Sequence, residues 1–224
     1  MAYGFKLRVW GDYACFTRPE MKVERVTYDA MTPSAARGVL DAVYWKPAIR
    51  WVVDRIHVLN EIRFDSIRRN EVDGKIPVRA IDQASKGVPS DLHLYASAAR
   101  QQRAAVVLRD VSYVIEAHFE LTSAAGPEDT EQKHYNIVLR RLKRGQCYQQ
   151  PFLGCREFPA NVELLDGELP TSVYQGQTVD LGWMLNEIDH DGEQLPRFFR
   201  ASLVSGAYVC PENVYGPDRR CDHA

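Results

Sequence analysis

The chain has 224 residues, 28 Lys and Arg against 30 Asp and Glu, a formal net charge of −2 and 45% hydrophobic residues. It is long enough to bury a core as one domain with an appendage or as two small domains. No uninterrupted apolar run approaches the roughly 18 residues of a membrane span, and the N-terminus lacks the basic-then-apolar order of a signal peptide, so a cytoplasmic protein with no membrane partner is expected.

Five cysteines, Cys15, Cys147, Cys155, Cys210 and Cys221, are odd in number and widely spaced. Neither CxxC nor HxxxH occurs, and Cys221 with His223 is too weak a pair to argue for zinc, so reduced thiols, no metal and no cofactor are expected. The near-neutral total hides an asymmetry. Asn161 to Leu195 holds Glu163, Asp166, Glu168, Asp180, Glu187, Asp189, Asp191 and Glu193 without a Lys or Arg, whereas basic residues concentrate from Lys46 to Arg69 and from Lys133 to Arg156. A polyanion such as RNA would therefore lie on the N-terminal two-thirds.

In chain order, Phe5 to Thr17 alternates as a strand, with Leu7 and Val9 facing opposite to Arg8 and Trp10. Thr32-Pro33-Ser34 opens a helix that runs to about Trp45, with Ala36, Val39, Leu40 and Val43 as its apolar stripe and Lys46-Pro47 as its stop. Tyr44, Trp45 and Lys46 thus lie at a helix end, where aromatics serve either as core plugs or as a nucleotide-handling edge. Ile49 to Leu59 and Ile62 to Ile67 alternate again and predict two strands of a long hairpin. His57 reads as a satisfied strand histidine, while Arg63, Arg68 and Arg69 either grip phosphate or point into water. From Glu71 to Ala98 the pattern weakens into a polar loop. Arg103 to Leu121 predicts two strands separated by a turn or bulge near Arg109-Asp110, with His118 on the second.

Pro127, Glu128, Asp129 and Thr130 suit a helix start with Asp129 or Thr130 as cap, Tyr135, Val138, Leu139 and Leu142 form one buried face, and Gly145 is the stop. Lys133 and His134 then sit near the first turn, where the dipole disfavours imidazolium and welcomes a phosphate. A neutral histidine beside a cation is an acid/base pair, or else His134 only borders the apolar face and Lys133 is solvated. Arg140, Arg141, Lys143 and Arg144 form a cationic run that fits either phosphate or a solvated face. Phe152 to Glu157 has no Rossmann or P-loop spacing, although Gly154 permits close backbone approach to RNA and Arg156 adds a charge. After Pro159 short strand-like stretches alternate with turns. The order strand, helix, two or three strands, helix, strand predicts an α+β fold with a ferredoxin-like β-α-β-β-α-β core.

Four segments, ARGVLDAVYWKP from Ala36, IRFDSIRRNEV from Ile62, RQQRAAVVLRDVSYVIEAHFEL from Arg100 and KHYNIVLRRLKRGQCYQQPFLGCREF from Lys133, together resemble the CRISPR-associated RAMP endoribonucleases of the type I-C (Dvulg) subtype. The resemblance spans roughly Phe5 to Ala160. It implies a ferredoxin-like (RRM-like) RAMP core over residues 1–160 that binds and cuts RNA, followed by a β-sheet extension over residues 161–224. It further implies metal-independent cleavage of the CRISPR repeat stem-loop in precursor transcripts, with the mature crRNA kept by its 5′ handle among the other subunits of a type I-C surveillance complex. Double-stranded DNA is a further partner to be considered.

The family's cutting tyrosine falls on Tyr44 of YWKP and its lysine-histidine pair on Lys133-His134 of KHYNI, with His118 of EAHF as a rival histidine. Lys46, Arg63, Arg68, Arg69, Arg140, Arg141, Lys143, Arg144, Gly154 and Arg156 are the expected RNA contacts. The alternative is a non-catalytic scaffold that holds the crRNA handle, which would not need the Tyr44 and Lys133-His134 set. A generic RNA-recognition module is disfavoured by the absence of its aromatic signature.

Overall fold

A computed structural model describes residues 4–188 and 195–211. Asp189, Asp191, Glu193, Cys221 and His223 therefore lie outside the described residues. The chain runs β1 (Gly4–Ala14), β2 (Arg25–Val26), α1 (Pro33–Val43), β3 (Ile49–Val58), β4 (Phe64–Val72), α2 (Val78–Ser85), β5 (Arg100–Leu121), α3 (Glu131–Lys143), β6 (Asn161–Leu164), β7 (Thr178–Ile188), β8 (Pro196–Val204) and β9 (Ala207–Val209). The strands form one mostly antiparallel sheet in the order β6-β1-β5-β3-β9-β8-β7, with β2 and β4 joined to β5. It is an α+β fold, with three helices among the described residues.

Strand β1 shows how the sequence sets the layers. Phe5, Leu7 and Val9 are buried while Lys6 and Arg8 are exposed, so one face of the pleat turns to the helices and the other to water. The helix-side face continues through Trp51 and Val53 of β3 and Ile115, Ala117 and Phe119 of β5, and meets Leu40 and Val43 of α1 and Val138 and Leu142 of α3 in one core.

Both main helices are capped as their sequences predict. Thr32 accepts from Ala35 N at 3.3 Å with Pro33 opening α1, and Thr130 accepts from Lys133 N at 3.2 Å to open α3. Gly145, with φ +61°, ends α3 in the left-handed conformation that glycine adopts without strain. Tyr44 closes α1, and its carbonyl accepts from Trp51 Nε1 at 2.9 Å, which ties the helix end to β3.

Several expectations change. Strands β3 and β4 are not a hairpin: β3 pairs with Tyr113–Leu121 and β4 with Arg100–Leu108 of the same partner. That partner, β5, is a single strand of 22 residues, in which Asp110 takes φ 51° and bends the backbone without ending it. The segment after Glu71 is not all loop, because Val78–Ser85 forms α2, none of whose residues is buried.

Beyond residue 160 the chain is built into the sheet at two places, β6 along β1 and β9 along β3. Among the stretches after Pro159 expected to be strand-like, TSVYQG from Thr171 instead forms a turn over Val173 to Gly176. Cys15, Cys147, Cys155 and Cys210 are free thiols. Among the described residues no helix is long and apolar enough to cross a membrane.

Candidate active site

The end of α1 and the start of α3 meet above β5, and the contact is polar. Tyr44 Oη and His134 Nδ1 are 2.8 Å apart across 90 residues of sequence. The tyrosine is 2% exposed and the histidine 1%. Phe119 of β5 sets its ring edge against His134 with centroids 6.3 Å apart, so the imidazole stands on the helix-side face of the sheet. The Arg141 guanidinium lies 5.0 Å from the centre of the Tyr44 ring and donates to Val43 O at 2.7 Å, which fixes α3 to the exit of α1.

The loop before α3 supplies the other side. Asp129 accepts from Gly126 N at 3.0 Å on Oδ2 and from Lys133 Nζ at 3.0 Å on Oδ1, and the lysine also donates to Glu128 O at 3.1 Å. The same Oδ1 lies 3.3 Å from His134 Nε2, but off the line of a hydrogen bond, so that buried nitrogen has no aligned partner.

The charges follow from these contacts. Burial holds the His134 imidazole below its ordinary value, a shift that Asp129 opposes and Lys133 reinforces, so the ring is neutral near pH 7. Burial pushes the Tyr44 phenol up, against the opposing influence of Arg141 and Lys133. The Gly126 N–H and then the Lys133 ammonium hold the Asp129 carboxyl low, so it is ionised. The cluster thus offers a neutral imidazole, a protonated phenol, an ammonium and a carboxylate at the positive end of a helix, a set able to move a proton beside a phosphate.

The other predicted residues separate into groups. His118 sits beside Phe119 on β5 and so faces the opposite side of the sheet, where its Nδ1 lies 2.9 Å from Asp54 Oδ2, away from Tyr44. His57 is likewise satisfied, 3.0 Å from Glu116. Lys46, Arg68, Arg140, Lys143, Arg144 and Arg156 are exposed, and their side chains have no hydrogen bond or ion pair among the described residues.

Arg63 pairs with Glu61 at 3.0 Å, and Arg69 bonds Glu157 while its guanidinium lies over Phe158. Gly154 takes φ +81°, and a Cβ there would lie 2.7 Å from the Cys15 carbonyl carbon. Its missing side chain makes room for the backbone of the residues leaving β1. Among the described residues no group of three or more His, Cys, Asp or Glu side chains is placed to hold a metal ion. The residue missed in the sequence is Asp129, which reads there only as a possible cap.

Comparison with known proteins identifies the family of the chain. The profile of the family described as CRISPR-associated protein (Cas_Cas5) matches residues 4–208. A protein of Mannheimia succiniciproducens named CRISPR pre-crRNA endoribonuclease Cas5d is 52% identical over 216 residues, covering 94% of this chain and 96% of its own. A Thermus thermophilus protein of the same name is 38% identical over 229 residues, covering 94% and 92%. A crystal structure described as a CRISPR-associated protein superposes with a TM-score of 0.68 at 24% identity, covering 97% of this chain and 94% of that one. With the matched profile spanning nearly all of the described sheet and both capped helices, the chain belongs to the Cas5 family of CRISPR-associated proteins.

Proposed function

We propose that this protein is a metal-independent endoribonuclease that recognises the stem-loop of CRISPR repeat RNA, cuts precursor transcripts into mature crRNA and keeps the 5′ handle within a type I-C surveillance complex. The observation that carries the reading is the Tyr44–His134 contact of 2.8 Å beside Lys133, which joins three groups suited to proton transfer and charge stabilisation from two distant parts of the chain. The relatives named as pre-crRNA endoribonucleases support the reaction class. The order β6-β1-β5-β3, with α1 following β1 and α3 following β5, supports a ferredoxin-like core built from residues 1–160 and closed by β6, the first strand of the β extension over residues 161–224. The cytoplasm is the compartment where such transcripts would be met.

In this reaction the ribose 2′-hydroxyl loses its proton as its oxygen bonds to the adjacent phosphorus. The bond from phosphorus to the 5′-oxygen breaks, and that oxygen takes up a proton, leaving a 2′,3′-cyclic phosphate and a 5′-hydroxyl. Neutral His134 with Tyr44 handles the proton, and the Lys133 ammonium meets the charge that builds on the phosphate oxygens. Tyr44 and His134 are covered, so RNA engages them only after side chains around the cluster shift.

The exposed Lys46, Arg140, Lys143 and Arg144 would hold the backbone of the RNA. Arg68 and Arg156 extend the cationic surface. Arg63, Arg69 and Arg141 have protein partners and would contact RNA only alongside or in place of them.

The test is incubation with repeat RNA in EDTA, alongside RNA with deoxyribose at the scissile position and the Tyr44→Phe, Lys133→Ala, His134→Ala and His118→Ala variants. The expected result is cutting by the wild type and the His118 variant, none of the deoxyribose substrate, and loss of cutting with retained binding for the other three variants. Cutting that requires magnesium or survives deoxyribose substitution refutes the mechanism. Tight binding without any cutting by the wild type supports the second reading, a scaffold for the crRNA handle, which the free basic surface of α3 equally suits.

A further inference from the structure

Asp129 has three partners, and together they constrain what His134 can do. Its Oδ2 is held by the Gly126 N–H at 3.0 Å, so the carboxylate is fixed by backbone on one side. Its Oδ1 accepts from Lys133 Nζ at 3.0 Å and stands 3.3 Å from His134 Nε2. An ionised carboxylate only accepts hydrogen bonds, and a neutral imidazole carries one N–H and one bare nitrogen. The nitrogen that faces Asp129 is therefore the one that keeps its hydrogen. Nδ1 is left bare, and the Tyr44 hydroxyl at 2.8 Å must be its donor. The opposite tautomer would aim a lone pair at a carboxylate inside a buried site.

We propose that Asp129 is a positioning residue for this reaction: it fixes the Nε2–H tautomer of His134, so that Nδ1 is the proton acceptor for Tyr44, and with the same oxygen it holds the Lys133 ammonium beside them. The proposal rests on Tyr44, Lys133 and His134 being the cutting residues. It divides their labour further than that reading does. Tyr44 is the group turned toward the ribose, His134 acts through the tyrosine, and Asp129 acts through His134 and Lys133. The buried Nε2 without an aligned bond fits a pair that completes its alignment when the cluster shifts to admit RNA.

The charged and titratable groups facing this imidazole are Asp129 and Lys133 from α3 and the loop before it, and Tyr44 and Lys46 from the end of α1, with Arg141 acting on the tyrosine. Of these Asp129 alone is an anion and alone favours protonation of His134. Removing its charge leaves the imidazole harder to protonate.

The experiment compares wild type, Asp129→Asn, Asp129→Glu and His134→Ala by single-turnover cleavage of saturating repeat RNA from about pH 5 to about pH 9, by RNA affinity, and by the nitrogen shifts of ¹⁵N-labelled histidine. The amide of Asp129→Asn still accepts from Gly126, so the loop is retained. For Asp129→Asn the expected result is a cleavage rate about tenfold or more below wild type with RNA affinity not weakened, an acid limb moved to lower pH, and a gain in the Nδ1–H tautomer of His134. Asp129→Glu should recover part of the rate and the native tautomer. If Asp129→Asn loses rate while the acid limb and the His134 shifts stay as in wild type, Asp129 is only a loop support and the proposal fails. If His134→Ala is inactive while Asp129→Asn cuts like wild type, the assignment of Asp129 fails and that of His134 stands. If His134→Ala cuts normally, both fail.

Discussion

Replacing Tyr44 by Phe removes one oxygen and almost no volume, so its effect isolates the contact with His134. The hydroxyl and the imidazole nitrogen are 2.8 Å apart and both residues are buried, so the bare Nδ1 would find neither the phenol nor water. Leaving a buried acceptor unpaired costs about 1–3 kcal/mol. For a chain of this size that is a fall in Tm of about 2–12 °C, since each kcal/mol moves the midpoint by about 2–4 °C. If the phenol also carries the proton in the reaction, cutting should fall by about 10²–10⁴-fold, the range for removal of an acid or base. Thermal unfolding of the free protein and single-turnover cleavage at a temperature where both proteins are folded separate the two effects. A variant that is less stable but cuts at the wild-type rate would show the pair to be structural only. A variant with unchanged Tm would refute the hydrogen bond as an element of stability.

Gly154→Ala should be destabilised by more than about 2 kcal/mol, because it adds a Cβ into the Cys15 backbone on top of the cost of roughly 1–2 kcal/mol for a left-handed residue, and circular-dichroism melting will measure it. Gly145→Ala, at φ +61° with open space around its Cβ, should lose only about 1–2 kcal/mol. His134 has a folded value below its unfolded one, so the unfolded chain binds more protons and stability falls as pH drops from about 6.5 toward that lower value. His134→Gln should remove this component, and its Tm should decline less than wild type when acidified through that window. Neutralising the exposed Lys143 and Arg144 to Ala should flatten the plot of log affinity against log salt by about 0.7–0.9 for each phosphate that is no longer neutralised, as read by filter binding; an unchanged slope would return both to a solvated surface.

The elements that sequence reveals are those whose ends carry their own chemistry. Thr32-Pro33 and Thr130 cap their helices with the side chains that the pattern names, and the alternation of Phe5, Leu7 and Val9 fixes the inner face of β1. Pairing is harder, because alternation marks a strand without naming its neighbour. Ile49 to Leu59 and Ile62 to Ile67 alternate well enough to suggest a hairpin, yet the strands that form there, β3 and β4, each find half of a 22-residue strand, an option invisible while Asp110 reads as a turn. Helix α2 buries none of its residues, so it has no core-facing stripe to stand out from the glycines and prolines around it.

The site divides along the same line. Lys133 and His134 are adjacent in the chain, and their place in the first turn of α3 follows from the cap, so local reasoning finds them. Tyr44 becomes their partner only when α1 packs against α3, and without tertiary contact the end of α1 is equally a core plug. The two readings of Tyr44 are not exclusive: it is 2% exposed, its carbonyl is held by Trp51, and its hydroxyl reaches His134. The same holds for His134, which belongs to the buried face of α3 and still keeps two polar neighbours. Asp129 escapes notice because an acid before a helix already has an explanation in capping. Thr130 takes the cap, and that frees the carboxylate to face Lys133 and His134. A cluster covered in this way keeps its protons in fixed positions, at the cost that, in the proposed reaction, RNA would have to displace part of the cover before the phosphate could enter.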